Sequence, residues 1–71
     1  MELREKLVFL RKKKGLSQAE LAEKINVSRQ AISRWEVGTA LPTSENLKHL
    51  SQVYEVSFEY LLFEDKEETE K

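Results

Sequence analysis

The stretch from Ser17 to Glu36 limits what this chain can become more than any other part of it. It holds two short apolar-periodic segments, each opened by a serine, with no room between them for a loop. Ser17 is followed three residues later by Glu20, the spacing of a capping box, in which the hydroxyl takes a free backbone N–H of the first turn and the carboxylate reaches back. Leu21, Ala22 and Ile25 then form an inward face at helical spacing. Ala22 is small, which permits two helix backbones to approach closely near a tight turn. Asn26 tolerates a left-handed backbone and so predicts a chain reversal. Val27 returns to the core, and Ser28 caps the second segment.

That second segment divides cleanly when its residues are laid out at about 100° per step. Ala31, Ile32 and Trp35 share one arc, and Arg29, Gln30, Ser33, Arg34 and Val37 share the opposite one. The first arc predicts core, and Trp35 is read as a core residue rather than a stacking platform. The second arc carries two arginines, an amide and a hydroxyl, the groups best suited to the edges of bases. Gly38 supplies the stop.

Before this unit, Leu3, Leu7 and Leu10 predict an amphipathic helix over residues 2–14, with Glu2, Arg4, Glu5, Lys6 and Lys12 around the leucine face and Gly15 at its end. The run Arg11-Lys12-Lys13-Lys14 suits the last turn through the helix dipole, and a phosphate contact is the sharper alternative. Val8 and Phe9 fall off the leucine face and imply packing against another element or a partner. After the unit, Leu41 is expected to dip into the core from a turn-like connector. Thr43 or Ser44 caps a fourth helix bearing Leu47, Leu50, Val53 and Tyr54, and Ser57 caps a short, apolar fifth. Residues 64–71 carry nothing to bury and read as an acidic disordered tail or the start of a linker, which leaves residues 1–63 as the domain.

Composition narrows the function. Seventy-one residues with 39% hydrophobic content supply one small core and no enclosed substrate cavity of useful size. There is no cysteine, so neither disulfides nor thiolate metal sites are available, in keeping with a reducing cytosol. No run approaches the roughly 20 apolar residues of a membrane span, and no signal-peptide pattern opens the chain, so a soluble cytoplasmic protein without a membrane partner is expected. His49, the single histidine, has no companion ligand and predicts a helix-surface residue rather than a metal or catalytic one. With no nucleophile–base pair and no phosphate-cradling glycine loop, neither an enzyme nor a cofactor or small-molecule ligand is expected. The net charge of −1 hides an asymmetry: residues 1–36 hold nine Lys/Arg against five Glu, whereas residues 37–71 hold three Lys against eight Asp/Glu. A polyanion meets one face of a protein, and here one half is basic.

Taken together, Leu10-Arg11 through Leu62 resembles the phage repressor/Cro-type (XRE) helix-turn-helix family. The resemblance is carried by Leu16-Ser17-Gln18, Glu20-Leu21-Ala22, Val27-Ser28, Ile32-Ser33-Arg34-Trp35-Glu36, Gly38, Pro42 and Val56-Ser57-Phe58-Glu59-Tyr60-Leu61-Leu62. It implies an all-α, compact five-helix lambda-repressor-like domain with the helix-turn-helix in helices 2 and 3. It also implies a sequence-specific transcriptional regulator that inserts helix 3 into the major groove of double-stranded DNA. Matching positions assign base contact to the start of helix 3, Ser28, Arg29 and Gln30, and one turn on to Ser33 and Arg34, and a phosphate contact to Gln18. Arg29, Gln30, Ser33 and Arg34 are expected to read bases, and Ser17, Ser28 and Thr39 to join Gln18 at the DNA backbone. Arg11 and Glu36 match a pair that forms an interior salt bridge. The connector Val37–Thr43 departs from the family, holding no Lys or Arg where relatives place phosphate-binding cations. One reader of this size covers few base pairs, so a homodimer on a pseudo-palindromic operator is expected, with half-sites roughly 34 Å apart. Phe58, Leu61, Leu62 and Phe63 exceed what one side of a short helix can bury, and are the expected interface. The alternative is an antitoxin-like or anti-repressor-like protein-interaction module working through Val8, Phe9 and the fifth helix.

Overall fold

The computed structural model describes residues 1–63, so the acidic segment 64–71 lies outside the described residues. Five helices follow in order: α1 (Leu3–Lys13), α2 (Gln18–Ile25), α3 (Arg29–Val37), α4 (Ser44–Tyr54) and α5 (Phe58–Leu62). With no strand among the described residues, the fold is all-α. Each of the last four begins at a hydroxyl. Ser17, Ser28, Thr43 and Ser57 accept hydrogen bonds from the backbone N–H groups of Glu20, Ala31, Asn46 and Tyr60 at 3.0, 3.0, 3.2 and 3.0 Å. Such caps satisfy donors that the helix itself leaves free. At α1 the Glu5 carboxylate does this work, accepting from the Glu2 N–H at 3.0 Å.

Left-handed residues end or follow four of the helices: Gly15 after α1, Asn26 after α2, Gly38 after α3 and Glu55 after α4. Asn26 reverses the chain as its chemistry allows. Glu55, at φ 59°, adopts the same conformation without an asparagine's tolerance for it.

Leu7, Leu10, Leu21, Ala22, Ile25, Ile32, Trp35, Leu47, Leu50, Tyr54 and Leu61 form one core. Around it α1 packs on α3 and α5, α2 on α3 and α4, and α4 on α5. Among the described residues no helix is long and apolar enough to cross a membrane.

Three expectations change here. Leu41 is 78% exposed rather than in the core. Its neighbour Pro42 is buried instead, since an irregular connector has no period that fixes which residue turns inward. Leu61 is 1% exposed and belongs to the core, so it leaves the expected dimer interface; Phe58, half-buried, packs against the same core. Lys6, grouped by sequence with the polar residues of α1, is fully buried. Its Nζ donates to the Tyr60 carbonyl at 2.5 Å and to the Phe63 carbonyl, and lies 4.6 Å from the Tyr60 ring centroid. An ammonium on the last carbonyls of α5 satisfies acceptors that a five-residue helix cannot, and complements its dipole. The lysine's aliphatic stem permits the burial.

Candidate nucleic-acid interface

The junction between α2 and α3 is as tight as its sequence requires. The Val27 N–H donates to the Ala22 carbonyl at 3.0 Å, closing α2, and the chain enters the Ser28 cap directly. Ile32 and Trp35 anchor α3 from below, with Val27 and Ala31 half-buried beside them. That anchoring fixes the opposite arc outward. Arg29, Gln30, Arg34 and Val37 are exposed, while Ser33, within the same arc, is half-buried.

Behind this arc a chain of polar contacts runs from α1 to the first residue of α3. Arg11 Nε donates to Glu36 Oε2 at 2.6 Å and Arg11 Nη2 to Glu36 Oε1 at 3.0 Å, a two-point pair. Their side chains are only 12% and 6% exposed. Arg11 Nη1 also donates to the Leu16 carbonyl at 2.9 Å, holding the α1–α2 turn. The hydrogen bond to Glu36 raises the Arg11 pKa above its ordinary value. Gln18 Nε2 donates to Glu36 Oε1 at 3.0 Å, and Gln18 Oε1 accepts from Arg29 Nη1 at 3.4 Å. The Gln18 amide, expected on a phosphate, thus bridges Glu36 and Arg29 from its place at the start of α2. Sequence reasoning missed this link because its partners lie 18 and 11 residues away.

The other residues expected at a backbone are placed as follows. Ser17 and Ser28 hold the N-termini of α2 and α3 through their hydroxyl oxygens. Helix N-termini of this kind attract anions. Thr39 Oγ1 donates to the Arg34 carbonyl at 3.5 Å. Lys12, Lys13 and Lys14 are exposed; Lys14 pairs with Glu55 at 3.2 Å, and Lys13 Nζ lies 5.8 Å from the Phe9 ring. Val8 is half-buried and Phe9 exposed, along a shallow groove of about 430 Å³ shared with Arg4, Glu5 and Glu36.

Tyr54, in the core near the Arg11–Glu36 pair, has its pKa raised by burial and then by the Glu36 charge. Its hydroxyl has no hydrogen-bond partner among the described residues. His49 is half-buried on α4 rather than on the surface, with Nδ1 likewise unpartnered among the described residues. No group of three His, Cys, Asp or Glu among those residues is placed to hold a metal.

At the C-terminal end of α5 lies a largely apolar groove of about 420 Å³, lined among others by Leu41, Pro42, Leu47, Leu61, Leu62 and Phe63. Leu62 and Phe63 are 49% and 62% exposed. Of the four residues expected to form an interface, these two present surface, and the connector's Leu41 joins them.

Comparison with known proteins agrees with this geometry. The helix-turn-helix family pattern matches residues 9–61. The HTH-type transcriptional activator BcrR of Enterococcus faecalis is 48% identical over 62 residues, 87% of this chain and 30% of that protein. The HTH-type transcriptional regulator ImmR of Bacillus subtilis is 38% identical over 66 residues, 93% of this chain and 52% of that protein. The chain therefore spans about a third to a half of the length of these relatives. Among solved structures, the P22 c2 repressor protein in complex with a synthetic operator superposes with a TM-score of 0.85 at 38% identity, covering 92% of this chain and 98% of that one. A tight α2–α3 junction, an outward polar arc on α3 and these matches lead to one conclusion: the chain belongs to the helix-turn-helix family, in its phage-repressor (XRE) branch.

Proposed function

We propose that this protein is a sequence-specific transcriptional regulator that inserts α3 into the major groove of double-stranded DNA. The outward arc of α3 carries the reading, because burial of Ile32 and Trp35 leaves Arg29, Gln30 and Arg34 exposed on the opposite side. Arginine pairs bidentately with guanine and glutamine with adenine, each worth about 1–3 kcal/mol of discrimination. Ser33 reads beside them. Gln18 holds Arg29 in position, while the N-termini of α2 and α3, with Ser17 and Ser28, take the phosphates alongside Thr39. The likeness to a repressor solved on an operator and to relatives named as transcriptional regulators supports this reading over catalysis. The protein works in the cytoplasm, on its own DNA.

It binds as a homodimer. The apolar surface of Leu41, Leu62 and Phe63 supplies the contact that sets two α3 helices roughly 34 Å apart on a pseudo-palindromic operator. The test is binding to duplexes selected from a random pool, over a salt series, for wild type, Arg29→Ala and Arg34→Ala. Each alanine variant should lose about 5- to 150-fold on the selected duplex and far less on a scrambled one. Failure of the wild type to bind any duplex at low salt would sink the proposal. Sedimentation of wild type and Leu62→Asp checks the dimer, which is wrong if wild type stays monomeric on DNA.

A further inference from the structure

The connector after α3 holds no Lys or Arg, yet a cation from elsewhere in the chain lies against its first two residues. Arg4, from the first turn of α1, reaches across to the end of α3. Its Nη1 donates to the Val37 carbonyl at 3.4 Å, 33 residues away in sequence. Its stem lies directly over Gly38, where an added Cβ would meet Arg4 Cδ at 2.9 Å. Gly38, left-handed at φ 98°, thus ends the helix and leaves room for the arginine to lie there. Resting on this reading of α3 as the DNA reader, we infer that Arg4 supplies the phosphate contact that the connector lacks.

The placement follows from helix geometry. Val37 lies two turns beyond Gln30 on the same outward arc as the base-reading side chains. At about 1.5 Å per residue, the nine residues of α3 advance roughly 12 Å from Arg29 to Val37. The major groove is about 12 Å wide. With the N-terminal half of α3 on base edges, its C-terminal end therefore meets the sugar–phosphate wall, and the guanidinium resting on Val37 and Gly38 meets it too. The side chain of Arg4 is 51% exposed, and its ion pair among the described residues, Nε to Glu2 Oε1 at 3.2 Å, is on the surface. Exposed pairs of this kind contribute little, so the guanidinium exchanges Glu2 for a phosphate at small cost. The neighbouring Glu5 carboxylate is engaged with the Glu2 N–H.

The experiment compares wild type, Arg4→Gln and Arg4→Lys on a pool-selected duplex and on a scrambled duplex of the same composition, over a salt series. One phosphate contact contributes about 0.9 to the slope of log affinity against log salt. Arg4→Gln should lower that slope by about one on both duplexes, with a loss of about eight-fold at 0.1 M salt, while the ratio between duplexes stays constant. Arg4→Lys keeps the charge and should keep the slope. An unchanged slope in Arg4→Gln would overturn the inference, as would a loss confined to the selected duplex or an equal loss in Arg4→Lys. A purely structural role, with Arg4 only steadying the end of α3, lowers the melting temperature and leaves the slope alone. If the wild type and Arg29→Ala separate as proposed above, an unchanged Arg4→Gln slope defeats this inference and not the DNA reading.

Discussion

Removing one partner of the Arg11–Glu36 pair is the most demanding test of how this domain holds its reader. In Arg11→Met the Glu36 carboxylate, 6% exposed, keeps one hydrogen bond, from Gln18 Nε2, and loses the two from the guanidinium. Stranding a buried charge in this way costs about 3–5 kcal/mol. A domain of this size has a total stability on the order of 4–11 kcal/mol. The substitution therefore removes about a quarter or more of it, and the melting temperature should fall by at least about 12 °C at 4–8 °C per kcal/mol. The Leu16 carbonyl also loses its partner, adding to the loss. Urea and thermal unfolding followed by circular dichroism measure this, and Glu36→Met and the double variant complete a cycle. The double variant removes both charges, so it should be more stable than the two single losses added together, by about 0.5–3 kcal/mol. An Arg11→Met loss below about 1 kcal/mol, or strict additivity in the cycle, would refute the view that the pair is a buried, mutually dependent unit.

Two further outcomes follow from single residues. Glu55 holds a left-handed backbone that costs a non-glycine residue about 1–2 kcal/mol, against an exposed pair with Lys14 of little value. Glu55→Asn should therefore raise stability by up to about 1 kcal/mol and Glu55→Ala should not; equal melting temperatures for the two would contradict the account. Tyr54→Phe removes a buried hydroxyl with no partner among the described residues, so its stability at neutral pH should match or slightly exceed that of wild type. Burial raises the Tyr54 pKa in the folded state, whereas the unfolded tyrosine ionises near its ordinary value of about 10. This contribution is complete below about pH 10 and is lost as pH rises above it, since only the unfolded state then releases the proton. Wild type should accordingly lose more stability than Tyr54→Phe between about pH 9 and 11, and parallel curves would count against it.

What the sequence determined by itself is local. Ser17, Ser28, Thr43 and Ser57 each bond a backbone N–H three residues ahead, so the starts of four helices are written within single turns. The two arcs of α3 were legible for the same reason: nine residues at helical spacing are enough to show which side is apolar. The Arg11–Glu36 pair came into view through the family resemblance, since no local rule joins residues 25 apart. Only the tertiary structure decided the rest. Five residues of α5, nearly all apolar, do not reveal a buried arc, so packing against the other helices alone separates Leu61 in the core from Leu62 at the surface. Lys6 reads as solvent-facing until the end of α5 arrives to accept its protons. Pro42 rather than Leu41 turns inward, and a connector has no period from which to read this. Gln18 and Arg4 acquire their contacts in the same way, through partners 11 to 33 residues distant. Hydrogen bonds within a turn are encoded by neighbours, whereas burial and long-range pairing depend on where separate helices come to rest.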